Sequence, residues 1–392
     1  MRNVVIVAGC RTPIGTIGGQ FKTLVPSELS IPVMQNLVER AGIDPAIIED
    51  VIWGCNYQRT YKENNLARVA AVKAGLPVTV PGITIHRNCT SSMSAIQMGF
   101  YQIKAGEADC IMAGGADSMS TAPHMVFNAR YGQKYGHMEM RDSMWDSLTN
   151  LGVGPAMGIT AENVADKYDI TREEMDAYSL RSQQRAVAAM DAGKFEEEII
   201  PITVSSRKGD TVYTTDEYPK RNATLEGLQK LKPAFKEGGK VTAGNASGMN
   251  DASSGVILMA EEKAKELGCP ILARVVSVAT TGVEPELMGI GPISATQKAL
   301  KKAGLTIDDI DLFEINEAFS SQCLACQREL GIPDDKLNVN GGGISLGHPV
   351  GATGSRIVIS LMYEMRRRGN RYGVATLCAG GGMGTAVIIE AC

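Results

Sequence analysis

The sequence predicts an α/β fold made of two similar halves separated by a loop-rich insertion. Strand and helix signals alternate in the first third, the same alternation returns in the last third, and the middle is irregular and charged. Alternating strands and helices are typical of a mostly parallel sheet with helices on both faces. We therefore expect an N-terminal half over residues 1–118, an inserted domain over 119–249 and a C-terminal half over 250–392.

Glycines and capping residues delimit the elements of the first third. Gly42 and Gly75 each follow a helical pattern, and glycine commonly ends helices because it adopts the left-handed conformation. The segment after Cys89 carries small residues on every side, which favours a central helix packed between other elements. We expect strands over 4–8, 51–53, 82–86 and 109–113, and helices over 27–41, 65–74 and 90–105.

The middle and last thirds contain further helix signals. Thr171 and Glu174 have the spacing of a capping box, which predicts a helix running to residue 192. Ser294 is the expected cap of a later helix. In the last third we expect strands over 271–278, 310–315, 372–378 and 385–390, a strand ending at Val339, and helices over 294–303, 317–330 and 351–368.

Composition excludes several classes of protein. The formal charge of −4 over 392 residues provides no general basic field for nucleic acid. The first apolar run, residues 4–8, is too short for a signal peptide, and no run reaches the length of a membrane span. Nine scattered cysteines without a secretory signal indicate a reducing compartment. We expect a cytoplasmic protein with free thiols and no contact with membranes or nucleic acid.

Cys89 is a candidate nucleophile because it stands at the start of a predicted helix. The helix dipole and the free N–H groups there favour a thiolate and lower a thiol pKa. The alternative is a buried structural cysteine, which is the usual state of a free thiol.

One CxxC pair, Cys323 and Cys326, without a second pair is poor evidence for zinc, so we expect core packing and no metal.

Three further candidates lie at predicted turns. His348 is surrounded by six glycines between residues 341 and 354, which let backbone approach a ligand closely. That loop lacks the lysine of a P-loop and misses the dinucleotide spacing. Cys378 ends a strand before a glycine run whose N–H groups can hold an oxyanion. Asn316 also follows a strand, where a simple helix cap is the alternative.

With these residues in view, the chain resembles the thiolases, most closely their acetyl-CoA acetyltransferase branch, over essentially its whole length. The motifs that carry the resemblance are residues 11–15 (RTPIG), Cys89, 158–163 (GITAEN), 241–248 (VTAGNASG), 316–319 (NEAF), 347–349 (GHP) and 378–382 (CAGGG). The resemblance implies duplicated βαβαβ halves packed as a layered α-β-α-β-α sandwich, with an inserted loop domain. It also implies reversible condensation of two acetyl-CoA to acetoacetyl-CoA and CoA.

The resemblance assigns roles to the candidates. It makes Cys89 the nucleophile that carries the acyl group and His348 the group that activates it. With Asn316 holding a water, His348 would also bind the thioester oxygen. Cys378 would be the acid and base for the α-carbon proton. The backbone N–H groups of Cys89 and Gly380 would form the oxyanion site of the acyl-enzyme.

The inserted domain is implied to hold coenzyme A, with no permanently bound cofactor. Residues 205–240 carry eight Lys or Arg and five Asp or Glu, either a solvated surface or a site for an anion. The stretch 124–141 resembles a tetramerisation loop and implies a dimer of dimers. By the same resemblance, the substrate-binding candidates are Met157, Lys220, Arg221, Phe235, Ala243, Ser247, Met288, Ala318 and Phe319.

The departures from the family pattern bear on the length of the acyl chain that the site would accept. Many members carry Cys-Gly-Ser-Gly at the nucleophile, where this chain has Thr90 and Ser92, and acetoacetyl-CoA members often have His in place of Ala156. Met288 suits a short acyl pocket by resemblance. The alternatives are a degradative 3-ketoacyl-CoA thiolase of broader range, a ketoacyl-ACP synthase and a non-catalytic acyl-CoA-binding protein. Cys378 with its glycine run disfavours the synthase.

Overall fold

The strands, in a computed structural model that describes residues 2–392, form one large sheet and two short hairpins. The strands are β1 (Val4–Arg11), β2 (Gly15–Thr16), β3 (Asp50–Gly54), β4 (Gly82–Ile85), β5 (Cys110–Ser118), β6 (His124–Val126), β7 (Met140–Asp142), β8 (Ile202–Ser206), β9 (Gly209–Tyr213), β10 (Asn250–Ala260), β11 (Ala273–Gly282), β12 (Leu312–Ile315), β13 (Tyr372–Ala379) and β14 (Met383–Ala391). The large sheet has the order β12-β13-β14-β11-β1-β10-β5-β3-β4, with β2 on β10, and the hairpins are β6–β7 and β8–β9.

The helices connect these strands and fill the insertion. None of those in residues 2–392 has the length and apolar character needed to cross a membrane. The helices are α1 (Pro26–Ala41), α2 (Leu66–Lys73), α3 (Ser91–Ala105), α4 (Ser143–Thr149), α5 (Met157–Lys167), α6 (Arg172–Asp191), α7 (Leu225–Gln229), α8 (Glu261–Leu267), α9 (Gly291–Ala303), α10 (Ser320–Leu330), α11 (Gly343–Leu346) and α12 (Thr353–Arg368).

Strand directions in the large sheet are mixed, so the expectation of a mostly parallel sheet is wrong. Only β3 with β4, β3 with β5 and β12 with β13 pair in parallel. The tight turn after β13 forces β14 to run antiparallel to it. The strand that follows the insertion, β10, pairs antiparallel with both β1 and β5. The alternation of strand and helix signals along the chain indicated where the strands are, but not whether each runs parallel or antiparallel to its neighbours.

Helices α3 and α12 lie in the centre of the molecule, between the strands of the two halves. One apolar cluster joins residues of both helices to β1, β5, β10, β11, β13 and β14. On the outside, α1 and α2 pack on the N-terminal strands, and α9 and α10 pack on the C-terminal strands. The order of layers is outer helices, the N-terminal strands of the sheet, the two central helices, its C-terminal strands and outer helices, which confirms the layered sandwich and the central position of the helix after Cys89.

Local sequence signals located most elements to within a few residues. The Thr171 capping box is present at the start of α6, and Gly42 ends α1 with φ +64°. Two expectations are wrong. Helix α9 begins at Gly291, and the Ser294 hydroxyl instead lies 2.7 Å from the Thr281 hydroxyl. Val339 makes only an isolated bridge, because the chain there turns into the glycine loop.

Candidate active site

Cys89 lies in a tight turn between β4 and α3. Asn88 adopts φ +46°, a left-handed conformation that Asn tolerates better than most residues. The Asn88 carbonyl accepts hydrogen bonds from the backbone N–H (3.1 Å) and the hydroxyl (2.7 Å) of Ser91. The Arg87 carbonyl accepts from the N–H (3.1 Å) and the hydroxyl (2.8 Å) of Thr90. These bonds present the thiol at the start of α3.

The two unusual hydroxyl residues beside Cys89 are used by the backbone. Thr90 closes the turn, as described above, and the Ser92 hydroxyl accepts the backbone N–H of Ser355 at 2.9 Å. Both side chains are buried. Ser92 therefore holds the start of α3 against the start of α12, which brings the Cys89 turn beside the loop that carries His348.

The electrostatics of Cys89 differ from the sequence expectation. Burial raises the pKa of the thiol to about 11, while hydrogen bonding from the backbone of Gly380 and of Cys89 itself lowers it. Nearby Asp117, itself buried, raises it further. The expected lowering by the helix start is therefore wrong in direction, because desolvation disfavours the thiolate more than the N–H groups stabilise it. At neutral pH Cys89 is therefore a thiol, and forming its thiolate would require a base.

Cys378 lies at the carboxyl end of β13, opposite Gly384 of β14. Its side chain is fully buried, and burial holds the pKa of this thiol well above its usual range. The negative charge of a Cys89 thiolate would raise that pKa further, which places the two sulfurs in one electrostatic environment. Gly381 and Gly382, at φ +85° and +80°, form the turn that follows.

His348 is held at both its backbone and its ring. The His348 N–H donates to Asn250 Oδ1 at 2.9 Å, and Nδ1 lies 2.7 Å from Thr353 Oγ1. The Thr353 hydroxyl donates its proton to the Pro349 carbonyl at 2.8 Å. The ring must then donate Nδ1–H to Thr353, which leaves the lone pair on Nε2.

The Nε2 edge of the His348 ring is buried and unpaired. Nε2 has no hydrogen-bond partner among residues 2–392. Burial, with a smaller effect of the Arg356 charge, lowers the pKa of His348 to about 3. The ring is therefore neutral at pH 7, and its Nε2 is an unpaired proton acceptor inside the protein.

Asn316 is not a helix cap, because α10 begins four residues later, at Ser320, with Phe319 in the capping position. Its backbone N–H donates to the Thr376 carbonyl at 3.0 Å, so it extends the parallel pairing of β12 and β13 toward Cys378. Both polar atoms of its buried amide lack a partner among the described residues. Buried polar groups are almost always paired, so Asn316 and His348 Nε2 fit the polar atoms of a bound molecule.

The predicted substrate-binding residues separate into two groups. Met157, Met288, Ala318 and Phe319 share one apolar cluster with Cys378. The Phe235 ring packs edge to face against the Phe319 ring, with 6.3 Å between the ring centres. The Ser247 N–H donates to the Ala318 carbonyl at 3.0 Å. Ala243 is exposed.

Lys220 and Arg221 form the other group. Both are exposed, and Arg221 pairs with Asp191 at 2.8 Å. The Lys220 ammonium lies 5.7 Å from the centre of the Tyr218 ring. Neither shares the apolar cluster with Cys378, so their assignment to the phosphates stays a prediction. Residues 2–392 contain no group of three or more His, Cys, Asp and Glu placed to hold a metal ion.

Sequence reasoning missed four residues that organise the site: Asn88, Asp117, Asn250 and Thr353. The Asp117 carboxylate accepts the backbone N–H groups of Asn56 and Tyr57, each at 2.9 Å, and that of Gly351 at 2.5 Å. Burial raises its pKa to about 6. Only Asn88 had a local signal, an Asn immediately before the candidate nucleophile. Asp117 and Asn250 act across the fold, whereas Thr353 acts on His348 and Pro349, five and four positions before it.

Comparison with known protein families matches both parts of the chain. Residues 4–262 match the family model of the thiolase N-terminal domain, and residues 269–391 match that of the thiolase C-terminal domain. The division of the chain at 118 and 249 is a separate matter and stays a prediction.

Similar proteins cover the whole chain. An acetyl-CoA acetyltransferase of Syntrophomonas wolfei subsp. wolfei is 50% identical over 395 residues, covering 100% of this chain and 99% of that protein. The crystal structure of the Bacillus anthracis acetyl-CoA acetyltransferase has a TM-score of 0.98 at 48% identity, with 100% and 99% coverage. That of human mitochondrial 3-ketoacyl-CoA thiolase in complex with CoA has a TM-score of 0.96 at 44% identity, with 100% and 98% coverage. The chain belongs to the thiolase family.

Proposed function

We propose that this acyltransferase is an acetyl-CoA C-acetyltransferase, which condenses two acetyl-CoA to acetoacetyl-CoA and CoA and cleaves acetoacetyl-CoA in reverse. The observation that carries the proposal is a buried site with two thiols, a neutral histidine and three unpaired polar atoms. Thiols exchange acyl groups with thioesters at nearly balanced energy, because one thioester replaces another. Full-length relatives named acetyl-CoA acetyltransferase support the same choice.

The first half-reaction transfers an acetyl group to Cys89. The Cys89 sulfur attacks the thioester carbon while its proton moves to His348 Nε2. The bond from carbon to the CoA sulfur then breaks, and the leaving thiolate takes the proton of Cys378. A buried thiol with a raised pKa is suited to this task because it is protonated at the start. The step leaves acetyl-Cys89, protonated His348 and the Cys378 thiolate.

The second half-reaction forms the carbon–carbon bond. The Cys378 thiolate removes a proton from the α-carbon of a second acetyl-CoA, and His348 and Asn316 stabilise the enolate oxygen. The enolate carbon attacks the acetyl group on Cys89, whose oxygen is held by the N–H groups of Cys89 and Gly380. Cys89 then leaves and regains its proton from His348, so the enzyme returns to its starting state.

We assign the CoA path to the apolar cluster beside Cys378 and to Phe235. Lys220 and Arg221 would meet the phosphates, and no resident cofactor or metal is needed for the chemistry. The exposed side chains of Phe127, Tyr131 and Tyr135, on the loop between β6 and β7, support a homotetramer, since exposed apolar groups of this size favour an interface. Because two reactive thiols need reducing conditions, we place the enzyme in the cytoplasm.

A broader degradative 3-ketoacyl-CoA thiolase is the second candidate, favoured by the likeness to the human enzyme. Met288 argues for short substrates, because it is 2% exposed and packs in the cluster that contains Cys378. Measuring kcat/KM for thiolysis of acetoacetyl-, 3-ketohexanoyl- and 3-ketodecanoyl-CoA decides between them. A preference for the ten-carbon substrate would favour the second candidate.

Two substitutions test the assignment of roles. Cys89→Ala should abolish the gain of one acetyl group seen by intact-protein mass spectrometry after incubation with acetyl-CoA. Cys378→Ser should still acquire the group but lose condensation. Cys269→Ala, a half-buried thiol outside the site, serves as the matched control and should do both. Equal loss of both half-reactions in both active-site variants would contradict the assignment.

A further inference from the structure

The side chain of Asn88 joins the nucleophile turn to the glycine loop after Cys378. Its Nδ2 donates to the Gly380 carbonyl oxygen at 2.7 Å. The two residues are 292 positions apart in the chain, so this bond connects the N-terminal and C-terminal halves. The neighbouring residue, Cys89, receives hydrogen bonding from the Gly380 backbone on its sulfur. Two consecutive residues thus hold the N–H and the C=O of one glycine.

Asn88 is held firmly enough to act as an anchor. The carbonyl before it and its own carbonyl are each bonded twice within the turn, to Thr90 and Ser91 respectively. With both flanking peptides held, the left-handed conformation of Asn88 determines the direction of its Cα–Cβ bond. That bond points across the site to the opposite loop.

Gly380 needs such an anchor. It is followed by Gly381 and Gly382, and consecutive glycines have more conformational freedom than any other backbone. Gly380 has no side chain with which to hold the loop in place, and an added one would have to displace the ends of two neighbouring side chains. A Cβ there would lie 2.8 Å from Leu151 Cδ1 and 3.3 Å from Met157 Sδ. An oxyanion donor contributes most when it is already oriented before the reaction, so the glycine loop requires an outside restraint.

We propose that Asn88 is a positioning residue that sets the Gly380 N–H as an oxyanion donor for acetyl-Cys89. This inference rests on the proposed function. The observed bond of the Asn88 side chain is to Gly380, so its assigned effect on the reaction is exerted through that glycine. It also couples the two halves, because the donor from the C-terminal half is aligned with a nucleophile from the N-terminal half.

The decisive variant is Asn88→Gly, which keeps the left-handed conformation free of strain and removes the amide. We expect kcat for acetoacetyl-CoA formation to fall by about 10- to 100-fold, with KM changed by less than about threefold. Asp169→Gly is the matched control, because Asp169 is an exposed left-handed residue (φ +50°) away from the site. It should retain wild-type kcat. Wild-type kcat in Asn88→Gly would overturn the proposal.

A second measurement separates positioning from general damage to the fold. Iodoacetamide alkylation of Cys89, followed by mass spectrometry of its peptide, gives the pH midpoint of thiol reactivity without any substrate. Loss of the Gly380 contact should move this midpoint upward by about half a unit in Asn88→Gly. An unchanged midpoint would overturn the proposal even if kcat falls. Failure of the wild-type enzyme to turn over acetyl-CoA would instead refute the proposed function, and the alkylation result would still stand.

Discussion

Replacing Thr353 with valine would test whether the hydroxyl beside His348 selects the reactive form of the imidazole. Thr353 Oγ1 accepts from His348 Nδ1 at 2.7 Å and donates to the Pro349 carbonyl at 2.8 Å. Valine keeps the branched shape and removes both bonds. The ring then has no partner that requires its proton to sit on Nδ1, so Nε2 no longer remains free to accept the proton of Cys89.

The size of the effect follows from these two bonds. The Pro349 carbonyl still accepts the backbone N–H groups of Ala352 and Thr353, each at 2.9 Å, so only His348 Nδ1 is left unpaired. A buried group left unpaired costs about 1–3 kcal/mol, and we expect the free energy of unfolding to fall by that amount. General-base assistance contributes about 10²–10⁴ in rate, and a wrongly placed proton removes part of it. A 10- to 100-fold slower acetylation of Cys89 corresponds to about 1.4–2.8 kcal/mol in the barrier.

The assay is the rate of acetyl-Cys89 formation, measured by quenched flow and intact-protein mass spectrometry. Thr353→Ser keeps the hydroxyl and should restore most of the rate. Thr296→Val is the control, because the Thr296 hydroxyl is buried without a partner and its loss breaks no bond. Acetylation of Thr353→Val at the wild-type rate, or no recovery in Thr353→Ser, would refute the role of the hydroxyl.

Two further predictions concern pH and substrate binding. The pKa of His348 is lowered to about 3, so the unfolded chain takes up a proton below about 6.5 that the folded protein does not bind until much lower pH. The free energy of unfolding should therefore fall as pH drops from about 6.5 toward 3. Chemical denaturation of His348→Asn should show a shallower fall, the two slopes differing by about 1.4 kcal/mol per pH unit. Equal slopes in the two proteins would contradict a neutral buried histidine. Gly158→Ala would place a Cβ 2.1 Å from the Phe235 ring, so the ring must move away from its contact with Phe319. We expect KM for acetyl-CoA to rise by about 3- to 10-fold in Gly158→Ala, with kcat nearly unchanged. Gly282→Ala is the control, because its added Cβ meets nothing nearer than 3.8 Å, and it should leave KM unchanged. An unchanged KM in Gly158→Ala would remove Phe235 from the CoA path.

The sequence by itself determined the elements and the main chemical groups. Helix ends follow local rules, since a left-handed glycine or a capping box stabilises the same boundary in any fold, as at Gly42 and Thr171. Cys89, His348 and Cys378 stand out because each lies at a turn next to glycine or to small polar residues. Local patterns of this kind can be recognised in the sequence because they depend only on residues a few positions away.

Only the tertiary structure decided how those elements combine and how the groups are charged. The direction of β10 and β14 depends on where the chain returns to the sheet, which no local pattern records. The raised pKa of Cys89 results from burial, which exceeds the effect of the helix start that the sequence reveals. The bond from Asn88 to Gly380 spans 292 positions. Burial and contacts between distant residues are properties of the packed chain, and they turn a set of reactive side chains into one site.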